Sequence, residues 1–155
     1  MQRIVLLSVL IYASACAPTF VKNTQIDYTP ERQEIADIIE KYRVALEKKD
    51  VDVLKSLVGD SYYENASTTN DPSDDYDIKG VKKLLDRVQN EVKAVKYQIK
   101  MTNIEILNKT AIVDLEYTGH YLFVRQEQDR WAQHSDKNRV TLKKQRNGWK
   151  IVSGL

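Results

Sequence analysis

The sequence predicts an α+β domain, and three observations predict it. Apolar residues recur at helical spacing through the first half of the chain, as far as Val92. From Val95 onward they alternate at a spacing of two, the period of a half-buried strand. Two short turn signals, Asn108-Lys109 and Asn147-Gly148, separate the alternating runs, so successive strands pair antiparallel. Helices gathered before strands give α+β; interleaving the two would have given a parallel α/β sheet.

A chain of 155 residues holds a targeting segment and one small domain. Its 24 basic and 22 acidic side chains nearly cancel. That balance excludes the one-sided charge of a nucleic-acid binder. No apolar run reaches the ~18 residues of a spanning helix.

The first element is an address. Arg3 gives a positive start, Ile4 to Tyr12 an apolar run broken only by Ser8, and Ala13, Ser14 and Ala15 a small-residue cleavage site. Cys16, the sole cysteine, follows at once. Ala13-Ser14-Ala15-Cys16 resembles the lipobox of bacterial lipoproteins. The resemblance implies a signal peptide over residues 1–15, acylation of Cys16, and a membrane anchor in the cell envelope. Without Asp after the cysteine, it implies the outer membrane in a host with two membranes. The alternative is a plain secretory signal that leaves Cys16 as a free thiol, which in an oxidising compartment invites intermolecular disulfides. Ala17 to Thr29 shows no period, so residues 16–28 read as a lipidated tether reaching up to roughly 40 Å when extended. The domain then spans residues 29–155.

Within the domain, "TPERQEIADIIEKYRVALEKKD" is an amphipathic helix. Thr29 caps it, Pro30 suits its first turn, and Ile35, Ile38, Ile39, Tyr42, Ala45 and Leu46 form its stripe. A second helix starts at Asp50, buries Val53, Leu54 and Leu57, and stops at Gly59. "DIKGVKKLLDRVQNEV" is a third, with Val81, Leu84, Leu85, Val88 and Val92 on one face. Val95, Tyr97, Ile99 and Met101 then alternate, and the parity switch at Ile104 and Ile106 marks a bulge near Asn103. A second long strand runs from Ala111 through Tyr117 and Tyr121 to Phe123, with Gly119 as a place to bend. "RWAQHSDKNRVTLKKQ" is a third strand and "WKIVSGL" the last. Trp149 alternates with Ile151 and is expected in the core.

"YRVALEKKDVDVLKSLVGDSYYE", the helix after "DIKG", the meander and the ending "LKKQRNGWKIVSGL" together resemble the nuclear transport factor 2-like superfamily. That group includes ketosteroid isomerases, scytalone dehydratases, SnoaL-type polyketide cyclases and non-enzymatic binding domains. The resemblance implies a cone, with N-terminal helices packed in a curved antiparallel sheet. It also implies a sheet face that often dimerises.

Such a cone is lined by strand and first-helix side chains. The polar liners expected are Tyr42, Tyr62, Tyr117 and Trp131, with Tyr63, His120, Tyr121 and His134 as further candidates. Acid-base chemistry needs a buried carboxylate or imidazole beside a hydroxyl. His120 and His134 lie on adjacent strands, but both are in polar stretches, and His120 has the parity opposite to Tyr117 and Tyr121. Asp71, Asp74, Asp75 and Asp77 supply the oxygens that calcium takes, without EF-hand spacing or a closing glutamate. They read as a turn and a helix cap. No catalytic residue, metal or cofactor is therefore expected. The expected function is binding of a small apolar ligand in the cone, or of a protein partner. The alternative is a SnoaL-like isomerase, cyclase or dehydratase.

Overall fold

The computed structural model describes residues 18–65, 72–125 and 128–155. The segment expected to be an export signal, Cys16 and Asp71 lie outside them. Three helices pack on one face of a curved four-stranded antiparallel sheet, ordered β3-β4-β5-β6. The elements are α1 (Pro30–Lys48), α2 (Val51–Leu57), β1 (Tyr63–Glu64), β2 (Tyr76–Asp77), α3 (Ile78–Glu91), β3 (Val92–Leu107), β4 (Thr110–Arg125), β5 (Gln128–Gln145) and β6 (Gly148–Ser153).

Each helix begins at a side-chain cap, as the residue types dictate. Thr29 Oγ1 accepts from the Arg32 N–H at 3.1 Å, Asp50 from Val53 at 3.1 Å, and Asp77 from Lys79 and Gly80. The end of α1 is fixed by Lys49 in the left-handed region, its N–H turned back to Ala45 and Leu46. Burial follows the stripe: Ile35, Ala36, Ile39, Ala45 and Leu46 on α1, Val81 and Leu85 on α3. Leu84 departs from it and stays 41% exposed.

The sheet follows the alternation closely. The register of β3 on β4 shifts between Met101 and Asn103. Tyr97, Ile99 and Met101 therefore face inward before the shift, and Ile104 and Ile106 after it. Asn108-Lys109 turns β3 into β4, with Asn108 at a φ of 56°. The turn from β5 to β6 sits one residue earlier than the Asn-Gly pair suggests. Gln145 pairs with Gly148, Arg146 and Asn147 form the loop, and Gly148 supplies the positive φ. The outer edge of β6 is covered where Gly59 N–H donates to the Ile151 carbonyl at 2.8 Å. Trp149 is 3% exposed, within the core shared by α1 and the sheet.

One segment differs from its reading as a tether. Thr19 to Tyr28 folds back on itself: Val21 N–H donates to Ile26 O, and Tyr28 N–H to Thr19 O. Val21 and Ile26 are buried in the main core. A turn this short offers no period to detect, so the two apolar residues look isolated in sequence.

Candidate functional site

The meeting of α1, α3 and the inner sheet face leaves a cavity of about 360 Å³. Its position follows from side-chain lengths. Near the Val113 end, Ile35 and Ile104 fill the space between helix and sheet, both fully buried. Toward the other end the gap is lined on the sheet side mainly by rings. Tyr42 of α1 meets Tyr97 of β3 edge-on, with centroids 6.2 Å apart. Tyr97 stacks on Tyr117 of β4 at 5.4 Å. Tyr121 and Phe123 extend the aromatic wall. Val81, Leu84, Leu85 and Val88 of α3 form the opposite wall.

Two devices hold the aromatic wall in place. The first clamps the edge of β3. The Glu47 carboxylate accepts from the Tyr97 N–H at 2.8 Å, and Arg43 donates to the Tyr97 carbonyl at 3.3 Å while pairing with Glu47 at 2.6 Å. Edge-strand polar groups are thereby satisfied by a helix, and Tyr97 is fixed against Tyr42. The second is Gly119, opposite Tyr97 in the ladder. A Cβ there would lie 2.7 Å from the Tyr121 ring, so glycine lets that ring fold down over the strand.

Burial pushes the hydroxyl pKa values of Tyr42, Tyr97, Tyr117 and Tyr121 above the ordinary value of 10. The hydroxyls thus remain neutral and able to donate. Because the folded chain favours the neutral form, their contribution to stability is intact below pH 10 and is lost as pH rises past it. The unfolding midpoint should therefore fall more steeply above pH 10 in the native chain than in Tyr97→Phe. Parallel curves would show that Tyr97 does not carry the effect.

Of the four tyrosine and tryptophan residues expected in the lining, Tyr42 and Tyr117 are there. Tyr62 is buried beneath the cavity. Its hydroxyl donates to Glu64 and accepts from the Leu155 N–H, each at 3.1 Å, and Tyr76 donates to the Leu155 carbonyl at 2.7 Å. Gly154 N–H donates to the same Glu64 carboxylate. Tyr62 therefore anchors the Gly154-Leu155 segment, which forms part of the lining. Trp131 is elsewhere. It is 53% exposed on the outer face, with Lys96 Nζ 5.7 Å from its ring centre. Its register partner Leu122 has the outward parity of His120, whereas Ala132 pairs with inward Tyr121.

The histidines do not pair. His120 stands opposite Gln133 on the outer face, and His134 opposite Gly119 on the inner face. The His134 ring is exposed, 5.8 Å from that of Tyr117. Among the described residues the one carboxylate in the lining is Glu91, at the rim, bound by Arg87 at 3.0 Å. Asp77 is used as a cap and Asp75 accepts from the Tyr63 hydroxyl. Sequence reasoning placed Tyr97 on an inward stripe and Leu84 on the apolar face of α3 but assigned both only to packing. The signal for a site was the concentration of inward aromatic residues at one end of β3 and β4, where three of them fall at Tyr117, Tyr121 and Phe123.

No family model and no curated protein sequence matches this chain. Solved structures do. A candidate scytalone dehydratase from Novosphingobium aromaticivorans DSM 12444 is similar with a TM-score of 0.68 at 14% identity, over 80% of this chain and 80% of that one. A nuclear transport factor 2-like superfamily protein from Salmonella enterica serovar Typhimurium LT2 gives 0.64 at 14% identity, over 79% and 87%. A candidate dehydratase of the same fold family from Streptomyces avermitilis gives 0.62 at 14% identity, over 81% and 95%. With its three helices packed on a curved antiparallel sheet, this chain has the nuclear transport factor 2-like fold.

Proposed function

We propose that this protein binds a small, flat, mostly apolar ligand in the tyrosine-lined cavity, and that a lipid on Cys16 holds it at the membrane. The observation that carries the binding reading is the lining itself: aliphatic walls on α3, stacked rings on β3 and β4, and neutral hydroxyls available to donate. Concave, largely apolar sites with a few orienting polar groups are where small molecules bind. Leu84, which lines the cavity and is 41% exposed, marks its mouth. A planar anilinonaphthalene dye titrated into the full chain should bind saturably at one site, and Leu84→Trp should weaken that binding about tenfold or more. Dye fluorescence unchanged by protein, or unchanged by Leu84→Trp, would rule out this cavity as the site.

A second reading is acid-base catalysis by an isomerase, cyclase or dehydratase, an activity suggested by the two candidate dehydratases of this fold. One observation favours it: His134 lies on the inner face beside Tyr117. Exposure weighs against it, because a general base works best where water does not compete for its proton.

The anchor rests on the sequence of residues 1–16. Cys16→Ser removes the sulfur that forms the lipid thioether. The variant should remain unprocessed and lack acyl mass, while the native protein partitions with membranes. Multiple acyl chains are needed for firm attachment, since one alone binds only marginally. A native protein found soluble, cleaved and without acyl mass would refute the anchor.

A further inference from the structure

β5 is much longer than its neighbour β6. Their pairing covers Thr141 to Gln145 only. On that side, Asp129 to Lys137 has no strand beside it among the described residues, and all of these residues are exposed. An edge of this length is a template for another strand.

The direction of its hydrogen-bonding groups can be deduced. Lys144 N–H donates to the Lys109 carbonyl at 2.8 Å, so Lys144 aims its backbone at β4. The β4–β5 register is unbroken from Thr110↔Lys143 to Arg125↔Gln128. Even-numbered residues of β5 therefore aim at β4 throughout, and Asp129, Trp131, Gln133, Ser135 and Lys137 aim outward. A strand pairing with this edge must bond to those residues.

A second copy of the same edge meets that demand in any register that sets outward-aimed residues opposite one another, and one such register also pairs charges. With Gln133 on a two-fold axis, antiparallel pairing sets Trp131 opposite Ser135 and Asp129 opposite Lys137 of the second copy, every one an outward-aimed residue. Arg130 then falls opposite Asp136, both on the inner face. Neither has an ion-pair partner within its own chain among the described residues. Opposite charges directly across a ladder stabilise it, and like charges oppose it. Centring the axis on Trp131 or on Ser135 brings neither charge couple together. Asp129 and Lys137 already pair within the chain, with Lys93 and Glu116, so the Arg130–Asp136 couple is the one that this register newly satisfies. The outer sheet face likewise satisfies its charges internally: Glu116 with Lys100, and Asp114 with Arg139.

We propose that two copies of this chain associate edge to edge along β5, in antiparallel register about Gln133, into one continuous sheet. The interface is isologous, so each charge couple occurs twice.

The test uses the full chain in detergent. Gln133→Cys places two thiols at a hydrogen-bonded antiparallel position, about 5.5 Å apart at Cα, within disulfide range. It should give an oxidised dimer beyond any seen in the native chain, which carries the same Cys16. Sedimentation should show a native dimer. Arg130→Asp or Asp136→Arg should weaken it about tenfold or more, and the double reversal should restore it. A monomeric native chain would overturn the proposal. So would a dimer indifferent to both reversals, or one trapped instead by Thr118→Cys at the middle of the outer face.

Discussion

Replacing Trp149 by alanine is expected to cost about 3–5 kcal/mol, much of the margin of a domain this small. The ring is buried at the start of β6, where it joins the sheet to the α1 side of the core. Its cross-strand partner Lys144 has its Nζ 5.3 Å from the ring centre, a cation–π contact. Alanine would leave a cavity in a close-packed core that relaxes only in part. Trp149→Phe separates volume from polarity. The indole N–H is buried without a partner in the described structure. Phenylalanine keeps most of the ring and removes that unsatisfied donor, so its cost should be less than half that of alanine. Urea midpoints for the two variants measure this. Equal losses would mean that the indole N–H makes an essential bond.

The second large effect is expected at Gly154. Its φ is +92°, and an added Cβ would lie 2.3 Å from the Arg139 carbonyl oxygen. Alanine therefore meets both a disfavoured backbone region and a backbone wall. Strain of this kind costs about 1–3 kcal/mol. Relief requires the segment to lift away, which breaks the bonds from Gly154 to Glu64 and from Asn138 to the Gly154 carbonyl. Gly154→Ala should thus lose ~2–4 kcal/mol by the sum of strain and lost hydrogen bonds. It should also disturb the cavity floor, so dye affinity falls with it. Thermal unfolding alongside the dye titration tests both. A variant as stable as the native chain would show that the C-terminal segment does not pack as described.

Much of this fold could be read from local chemistry. Thr29 and Asp50 announced their helices, and the Asp71–Asp77 cluster the third, because their side-chain oxygens accept from the free N–H groups of a helix start. The bulge near Asn103 was visible because burial forces a parity switch when one extra residue enters a strand. Trp131 was misplaced for a related reason. Its half of β5 has no helix over it, so both faces are wet and alternation carries no burial signal. A large aromatic ring there looks inward by type, yet the register sends it out. Tyr62 was expected in the cavity lining, and no pattern in sequence shows that its hydroxyl serves the chain end instead. The cavity itself was legible only as an excess of inward tyrosines, since a void depends on sheet curvature and not on any one residue.

The central claim is that the ring-lined cavity is where this protein binds its ligand. The chain has nine tyrosines, and their ring resonances can be followed by NMR with tyrosine isotopically labelled and an apolar aromatic ligand added. Tyr42, Tyr97, Tyr117 and Tyr121 should shift together and saturate at one equivalent, while exposed Tyr63 on β1 stays still. Shifts spread evenly over all the tyrosine rings, or none at the four cavity rings, would contradict the account.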